Sequence, residues 1–482
     1  MQGMEGKVYI GGKWLAPQSG KAIPVLDPGT GEVIAQIADG QAADIDLAVK
    51  TARQALSGEW GRFTPTERGR VLSRLAELIL ANFDELADLE SRDCGKVLST
   101  ARNDIKLLAR YFEFYGGAAD KVHGEVIPYQ NNHSVTVVRQ PYGVCGHIIP
   151  WNYPVQILGR SVGAALAMGN VSVIKPAEDA SLSILRLAEL AAEAGLPDGV
   201  FNVVPGYGAT AGAALISHPD INFVSFTGSP QVGTLVQQET ARNHVKCVLE
   251  LGGKSPQVVF ADANLDKAIP AIVNGIIQNA GQTCSAGSRL LVQKEIYDEV
   301  VTRVAERFAQ LQVGQQCRDL NCGPIINARQ MGRVQSFIDD AQKSGVRIAA
   351  QGQFDADLPQ GGFYVAPTFF ADVPRDHILA KEEVFGPVLA ALPFTDEADA
   401  IALANDTDYG LVAGIWTENG GRQQRMAMGI DSGQVYINCY GAGGGVELPF
   451  GGFGKSGHGR EKGLVALEEM SITKTIVHNF EQ

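Results

Sequence analysis

Short apolar runs alternate with helical stretches in the middle of the chain and predict its fold. SVTVVR (134–139) alternates apolar and polar residues, as a strand does, and the apolar runs after it are VSVIK (171–175), FNVV (201–204), INFVSF (221–226) and CVLE (247–250). A helix from Ser181 to Ala194, ended by Gly195, and another near 230–239 lie between these runs. Unbroken apolar strands separated by helices indicate a parallel sheet covered on both faces. The predicted fold class is α/β, with a doubly wound sheet that binds ligands at the carboxyl ends of its strands.

The remaining chain divides around this first series of strands. A second series begins with PQVVF (256–260) and runs to about residue 440, so the pair Gly252-Gly253 is the expected lobe boundary. The first third is expected to be helical after a short β-like start, with Asp44 capping a helix that Gly58 ends. Near the end, SITKTIVHN (471–479) has strand character, and its expected partner is SVTVVR, within one chain or across a subunit interface.

Composition narrows the classes of protein. The 482 residues carry a net charge of −13, with 45% hydrophobic and 19% charged residues, which is ordinary for a packed globular chain. The acidic balance argues against nucleic acid or an anionic membrane surface as the main partner. No run reaches the roughly 20 apolar residues of a spanning helix, and no secretory signal is recognised at the start. Seven scattered cysteines without a CxxC pair indicate free thiols in a reducing, cytoplasmic compartment and no metal site.

Two residues have the chemistry of a covalent catalyst. Cys284 lies in NAGQTCSAGSR, a turn of small residues that would let a thiol meet a substrate and let backbone N–H groups converge on an oxyanion. Glu250 ends a predicted buried strand before two glycines, where a carboxylate would act as a general base through water. The structural alternatives are an inert buried cysteine and a carboxylate that serves in a cap or salt bridge.

Four further segments have the chemistry of a binding crevice. Asn152, between the prolines of IIPWNYP, would donate its amide to an oxyanion or form a turn. Lys175 and Glu178 close a strand and would bind a ribose or simply be surface charges. FTGSPQVG (226–233) combines a strand, a Gly-Ser turn and a helix start, which favours a pyrophosphate but lacks the GxGxxG fingerprint. EEVFGP (382–387) places a carboxylate two residues before a phenylalanine that would pack on a ring.

Taken together and in order, these motifs resemble those of the NAD(P)-dependent aldehyde dehydrogenase superfamily. The likeness runs from DPGTGE (27–32) through PWN, KPAE, FTGSPQVG, ELGGKSP, GQTC and EEVFGP to PFGGFGKSGHGRE (449–461). The resemblance implies two doubly wound Rossmann-type lobes and a small β oligomerisation arm. The cofactor-binding domain would comprise residues 1–120 and 141–251, the catalytic domain 252–465, and the arm 121–140 and 466–482. Such an arm implies a homodimer or homotetramer.

The resemblance also implies a role for each matching residue. Cys284 would be the nucleophile, Glu250 the general base, and Asn152 an oxyanion donor together with the Cys284 backbone N–H. The cofactor-binding residues would be Ile148, Pro150, Trp151, Lys175, Glu178, Gly228, Ser229, Leu251, Glu383 and Phe385. Because the carboxylate of Glu178 would repel a 2′-phosphate, NAD is the expected cofactor, with NADP as the second candidate.

The implied reaction oxidises an aldehyde to a carboxylic acid through a cysteine thiohemiacetal and a thioester. Glu250 sets the chain apart from coenzyme A-acylating relatives, which generally lack this base. Two other classes of protein are less consistent with the sequence. A cysteine hydrolase would need a histidine near Cys284, and no histidine motif is present. A non-catalytic structural or binding protein of the same fold would be expected to lose Cys284 or Glu250.

Three residues are expected to line the substrate tunnel: Tyr153, Arg160 and Phe450. The arginine at position 160 is similar to the arginine that succinate-semialdehyde dehydrogenases have at this place, and it would bind the distal carboxylate of the substrate. The alternative is that Arg160 pairs with an internal acid or with a neighbouring subunit. The small residues 442–445 replace the bulk that many relatives place at the tunnel mouth and predict a wide opening. The expected substrate is therefore a bulky or acid-bearing aldehyde, a semialdehyde, with an aromatic aldehyde as the alternative.

Overall fold

The N-terminal part places four helices between short antiparallel strands. The computed structural model describes residues 4–441 and 445–481. The elements up to residue 141 are β1 (Val8–Ile10), β2 (Lys13–Leu15), β3 (Ala22–Leu26), β4 (Val33–Ala38), α1 (Ala42–Ser57), α2 (Pro65–Ala81), α3 (Phe83–Cys94), α4 (Leu98–Ala118), β5 (Glu125–Ile127) and β6 (His133–Pro141). The expected cap of α1 is wrong by three positions: Gln41 is the N-cap, and Asp44 accepts its backbone N–H from within the first turn.

Strands and helices then alternate to form the first large sheet. Its elements are β7 (Val144–Ile149), α5 (Pro154–Ala167), β8 (Val171–Pro176), α6 (Leu182–Glu193), β9 (Phe201–Val203), α7 (Ala213–Ser217), β10 (Phe223–Thr227), α8 (Pro230–Arg242) and β11 (Lys246–Glu250). The parallel strands lie in the order β9-β8-β7-β10-β11. The chain therefore winds outward from β7 to one side and then to the other, which makes a switch point between β7 and β10.

A second sheet of similar size follows residue 255. The elements of the last part are β12 (Pro256–Val259), α9 (Leu265–Ile277), β13 (Arg289–Gln293), α10 (Tyr297–Phe308), β14 (Gln312–Val313), α11 (Ala328–Lys343), β15 (Arg347–Gln351), β16 (Gln353–Phe354), β17 (Thr368–Ala371), α12 (Ile378–Lys381), β18 (Val388–Phe394), α13 (Glu397–Ala404), β19 (Tyr409–Gly410), β20 (Val412–Trp416), α14 (Gly420–Gly429), β21 (Gln434–Ile437), β22 (Phe453–Gly454), β23 (Gly457–His458), α15 (Val465–Glu469) and β24 (Ser471–Asn479). The sheet order is β15-β17-β18-β13-β12-β20-β21, parallel except at β15.

Both faces of the second sheet are covered. Neighbouring residues of one strand belong to different apolar cores: Val258 and Leu291 lie in one, Val259 and Leu290 in the other. Since successive side chains of a strand point to opposite faces, each face has its own core. The α/β prediction with two doubly wound sheets is thereby confirmed. Within the described ranges, no helix has the length and apolarity to cross a membrane.

A third, three-stranded sheet joins the end of the chain to its middle. β24 pairs antiparallel with β6 along its whole length, from Ser471 opposite Pro141 to Asn479 opposite His133, and β5 pairs with the other edge of β6. The predicted pairing of SITKTIVHN with SVTVVR is thus present within one chain. β23 pairs with β11 in the first sheet, so a short piece of the C-terminal region returns to the end of that strand.

Candidate active site

A tight left-handed stretch positions Cys284. After α9 ends, Asn279, Ala280 and Gly281 all have positive φ, at 49°, 52° and 73°. A Cβ on Gly281 would lie 2.2 Å from the backbone of Gly386, so only glycine fits this approach. The buried Gln282 closes the turn, because its Nε2 donates to the Asn279 carbonyl and its Oε1 accepts the Ile326 N–H. The small residues of NAGQTC therefore build a rigid loop.

An apolar cluster lies beside Cys284. Cys284 packs against a buried cluster that contains Leu411, Val412 and Phe450, with Tyr436 and Tyr440 at its border. Burial raises the pKa of Cys284 to about 12, although the positive charge of Arg160 opposes the shift. The resting thiol is therefore protonated at neutral pH.

Glu250 lies at the end of β11 with a buried and unsatisfied carboxyl group. Glu250 is 2% exposed, and within the described residues neither of its carboxyl oxygens accepts a hydrogen bond. Burial raises the pKa of Glu250 well above its usual value, with Arg160 acting in the opposite direction. Its negative charge also raises the pKa of Cys284, so the two groups lie within electrostatic reach. A buried carboxyl without a partner is suited to exchange a proton with a bound molecule.

Asn152 connects the loop after β7 to the loop that precedes Cys284. Its side-chain Nδ2 donates to the Gln282 carbonyl at 3.0 Å, and Asn279 Nδ2 donates to the Asn152 carbonyl at the same distance. An amide nitrogen carries two N–H groups, so one more can be offered to an oxyanion. The structure thus brings three predicted site residues, Asn152, Glu250 and Cys284, into one neighbourhood.

Arg160 is engaged by an internal acid. It lies in α5 and forms a buried ion pair with Glu461, donates to Thr227 Oγ1 at 3.2 Å, and covers the ring of Phe450 with its guanidinium carbon 5.1 Å from the centroid. Ser225 Oγ donates to the same Glu461 carboxylate at 2.8 Å. Of the two interpretations of Arg160, this geometry agrees with the internal acid.

Tyr153, another predicted substrate residue, is largely buried and contacts the loop that precedes Cys284. Its hydroxyl shares a hydrogen bond of 2.9 Å with Thr283 Oγ1, directly before Cys284. The Nζ of Lys96 lies 4.4 Å from the centroid of its ring. The predicted wide opening at 442–445 concerns Ala442–Gly444, which lie outside the described residues.

The predicted cofactor residues gather at the carboxyl ends of the first sheet. Lys175 is the last residue but one of β8, and its Nζ donates to Glu178 Oε2 at 3.3 Å and to the Gly206 carbonyl at 3.0 Å. Ile148 lies near the end of β7, Pro150 and Trp151 follow that strand, and all three are half-buried. Gly228 and Ser229 follow β10 at the start of α8. Ser229 caps α8 by accepting the Val232 N–H.

Glu383 and Phe385 approach this crevice from the second lobe. Glu383 Oε1 accepts the Gly253 N–H at 2.9 Å, and a Cβ on Gly252 would lie 2.3 Å from its Oε2. Burial raises the pKa of Glu383 to about 7. Phe385 has φ of 58°, which is unusual for an aromatic residue, and its ring meets Trp151 edge-on at 5.4 Å. Leu251, next in the chain to Glu250, fills the space against Gly233.

Several residues of this neighbourhood were missed by sequence reasoning. Glu461 holds Arg160, Tyr440 donates its hydroxyl to the Ser285 carbonyl at 2.6 Å, and Thr283 holds Tyr153. Glu461 lies inside the quoted segment PFGGFGKSGHGRE, so its presence in a motif was the available signal. No spacing rule indicated which residue it would contact.

Fold and site together describe an α/β protein with a half-buried cysteine and a buried carboxyl beside the switch point of a doubly wound sheet. The model of the aldehyde dehydrogenase family matches residues 14–476. The mouse protein "Aldehyde dehydrogenase, cytosolic 1" is 42% identical over 481 residues, which are 99% of this chain and 95% of that protein. Human "Retinal dehydrogenase 2" is 41% identical over 475 residues, 98% of this chain and 91% of that protein.

Solved structures agree with these relatives. A crystal structure of a protein from Burkholderia cenocepacia assigned to the same family has a TM-score of 0.98 at 59% identity and covers 98% of this chain and 100% of that chain. The NAD+ complex of an aldehyde dehydrogenase from Bacillus cereus has a TM-score of 0.96 at 39% identity, covering 99% and 97%. The chain belongs to the aldehyde dehydrogenase family, and the sequence prediction of an aldehyde-oxidising oxidoreductase is confirmed at this level.

Proposed function

We propose that this protein oxidises a bulky aldehyde to a carboxylic acid with NAD, through a covalent intermediate on Cys284. The observation that carries the proposal is the arrangement of Cys284, Glu250 and Asn152 beside the β7–β10 switch point. A thiol, an unsatisfied carboxyl and an amide donor are the three groups that thioester formation and hydrolysis require. The Bacillus cereus neighbour is described as an NAD+ complex, which supports the same cofactor here.

The residues at the strand ends have the chemistry to bind NAD. Lys175 and Glu178 offer an ammonium and a carboxylate for ribose hydroxyls, and the start of α8 offers backbone N–H groups for a pyrophosphate. Glu383, a buried carboxyl held against Gly253, would bind the second ribose, and Phe385 would contact the ring. The other proposed contacts are Ile148, Pro150, Trp151, Gly228, Ser229 and Leu251. When bound, NAD supplies a hydride acceptor.

The chain's own residues account for the remaining chemistry. Cys284 Sγ, after losing its proton, bonds to the aldehyde carbon, and the resulting oxyanion takes hydrogen bonds from Asn152 and the Cys284 N–H. Loss of hydride from that carbon leaves a thioester on Cys284. Glu250 takes a proton from water, the hydroxyl oxygen bonds to the acyl carbon, and the carbon–sulfur bond breaks to release the acid and the thiol. Water is thus consumed and one proton released for each aldehyde oxidised.

The substrate class follows from charge and surroundings. Phe450 belongs to the apolar cluster against which Cys284 packs, and Tyr436 and Tyr440 pack against the same cluster. Such rings favour a bulky apolar or aromatic group. Arg160 already has Glu461 as counter-ion, so the site offers a distal substrate carboxylate little uncompensated charge. We therefore favour a bulky, ring-bearing aldehyde over a semialdehyde, with Tyr153 and Phe450 in the pocket wall. The semialdehyde interpretation predicts that an acid-bearing aldehyde is preferred over its neutral counterpart of equal length.

The decisive experiment measures NADH formation from a panel of aldehydes by the wild type, Cys284→Ser and Glu250→Gln. We expect no turnover for Cys284→Ser, and for Glu250→Gln one rapid equivalent of NADH followed by slow turnover. Cys317→Ser is the matched control, since its thiol is free and exposed. Parent activity in Cys284→Ser would contradict the proposal, as would a Glu250→Gln variant without a burst that still binds substrate.

Domain division, assembly and location are proposals as well. We place the cofactor-binding domain at 1–120 and 141–251, the catalytic domain at 252–465 and the arm at 121–140 and 466–482. The three largest sheets support this division. The arm exposes Val126, Ile476 and Val477 (79%, 47% and 56%), which supports a homodimer or homotetramer. Light scattering of a Val126→Lys variant tests assembly.

The seven free cysteines support a reducing, cytoplasmic location, which cell fractionation tests.

A further inference from the structure

A buried ionic cluster lies behind the wall of the active site, away from the groups that react. Lys96 Nζ donates to Glu90 at 2.9 Å and to Asp104 at 2.6 Å, and all three side chains are at most 1% exposed. Ser183 Oγ donates to Glu90 at 2.7 Å, and Gln156 Nε2 donates to Asp104 at 2.6 Å. The cluster therefore links α3, α4, α5 and α6 at one point.

Stability alone does not explain a buried charge cluster of this kind. Removing charges from water is costly, and well-packed apolar side chains of similar volume are often equally or more stabilising. Burial alone would lower the pKa of Lys96, but Asp104 and Glu90 raise it well above its usual value, so the ammonium stays charged. A permanent charge held from two sides suits the task of fixing a neighbouring group in one place.

That neighbouring group is Tyr153, the residue directly after the oxyanion donor Asn152. The Lys96 ammonium lies 4.4 Å from the centroid of the Tyr153 ring, within the range of a cation–π interaction. The Tyr153 hydroxyl then reaches Thr283 Oγ1 at 2.9 Å, and the Thr283 hydroxyl in turn donates to the Gln278 carbonyl at 3.3 Å. The contacts run without a gap from the cluster to the residue before the nucleophile.

We propose that Lys96 is a positioning residue for the nucleophile loop: held by Glu90 and Asp104, it fixes the Tyr153 ring, whose hydroxyl fixes Thr283 and thereby the direction of the Cys284 thiol. Lys96 acts through Tyr153 and touches no reacting atom. The loop needs such support, because three consecutive left-handed residues, two of them not glycine, precede it. The inference rests on the proposed role of Cys284 as the nucleophile.

The first test is a double-mutant cycle on Tyr153→Phe and Thr283→Val. The readouts are the rate of Cys284 alkylation by iodoacetamide, followed by peptide mass spectrometry, and the rate of the NADH burst. Each single variant should slow both rates about fivefold, as expected for one lost hydrogen bond. The double variant should be no slower than the singles, with KM changed less than the burst rate. Tyr364→Phe is the matched control, since its hydroxyl donates to the distant Gly29 carbonyl.

The second test isolates the ammonium. Tyr153→Phe keeps the aromatic face above Lys96 and Tyr153→Leu removes it, so Tyr153→Leu should be slower by a further threefold or so. A triple variant, Lys96→Met with Glu90→Gln and Asp104→Asn, replaces the charged cluster by neutral side chains. It should slow alkylation of Cys284 about as much as Tyr153→Phe does, and in it Phe and Leu at position 153 should give equal alkylation rates. Because the position 153 comparison leaves the cluster intact, it decides the matter even if the triple variant does not fold.

Three results would overturn the inference: parent alkylation rates in Tyr153→Phe and Thr283→Val, effects that multiply in the double variant, or equal rates for Phe and Leu at position 153. The alkylation rate of Cys284 is measured without aldehyde or cofactor. Failure of the positioning inference is therefore distinguishable from failure of the proposed function, which would show as parent turnover in Cys284→Ser.

Discussion

The ion pair between Arg160 and Glu461 can be tested both by the stability of the protein and by its substrate preference. The two side chains are 8% and 2% exposed, so each charge depends on the other. Arg160→Met keeps most of the volume and removes the ion pair, while the hydrogen bond from Ser225 Oγ to Glu461 remains. Breaking a buried pair from one side costs about 3–5 kcal/mol, because an uncompensated charge stays in the interior. Adding Glu461→Gln removes that charge and should recover most of the loss.

Urea unfolding provides the assay for this pair. The free energy of unfolding falls with urea by about 2–3 kcal/mol per M. The urea concentration at the midpoint of the first unfolding transition should therefore fall by on the order of 1–2 M in Arg160→Met, and by only a small part of that in the double variant. Equal loss in the single and double variants would refute the reasoning, since the penalty would then come from packing and not from the charge of Glu461.

The same two variants test the substrate. If Arg160 is occupied by Glu461, the double variant should keep the ratio of kcat/KM for acid-bearing and neutral aldehydes within about twofold, because no charge-assisted bond is lost. If Arg160 binds a substrate carboxylate instead, that ratio should fall by roughly a hundredfold, the equivalent of about 2–3 kcal/mol. The measured ratio therefore chooses between the ring-bearing aldehyde and the semialdehyde.

Three further predictions concern the base, the cofactor and a helix cap. Because burial raises the pKa of Glu250 and only the ionised carboxylate accepts a proton, single-turnover thioester hydrolysis should increase with pH above the usual glutamate range, and Glu250→Gln should flatten that profile. Glu178→Gln should raise kcat/KM with NADP about tenfold, since the carboxylate that repels a 2′-phosphate is removed; an unchanged value would contradict the role of Glu178. Thr64→Ala removes the capping box with Glu67 at the start of α2 and should cost about 1 kcal/mol in urea unfolding.

Local signals in the sequence predicted the elements that carry the site. Ser181 precedes α6 and Gly195 follows it with φ of 97°, as the expected stop required. The carboxyl ends of the parallel strands then collect Trp151, Lys175 and Gly228, which lie far apart in sequence. This agreement has a physical reason: periodicity, caps and strand-end chemistry are encoded within a few residues.

The central strand β7 was missed for an equally local reason. Its sequence VCGHII is interrupted by Gly146 and His147, so it does not form an apolar run. In the sheet, a Cβ on Gly146 would lie 3.2 Å from the Leu215 side chain, and burial lowers the pKa of His147 to about 3, which keeps the imidazole neutral beside Ser172. A neutral histidine and a glycine are tolerated there because of tertiary packing.

Contacts between residues far apart in the chain leave no such local signal in the sequence. Arg160 and Glu461 come from α5 and from the turn after β23, and Tyr153 meets Thr283 from another lobe. No periodicity or spacing links such residues, and only the folded chain shows which acid the arginine selects. The sequence therefore left two interpretations of Arg160, and only the structure shows that Glu461 is the counter-ion of its positive charge.

Burial governs both reactive groups, which leads to a last prediction about Leu411. Desolvation is the largest cause of the raised pKa of Cys284 and of the raised pKa of Glu250. Because both values are raised, the pKa difference that opposes proton transfer from the thiol to the carboxyl is smaller than it would be if only the thiol were buried. Leu411 is 2% exposed and belongs to the apolar cluster against which Cys284 packs. Leu411→Ala should admit water and lower the pKa of the thiol from its value of about 12. The pH dependence of Cys284 alkylation measures this shift, with Leu80→Ala, an exposed leucine of α2, as the control. An unchanged or raised midpoint in Leu411→Ala would show that desolvation is not what holds the thiol protonated.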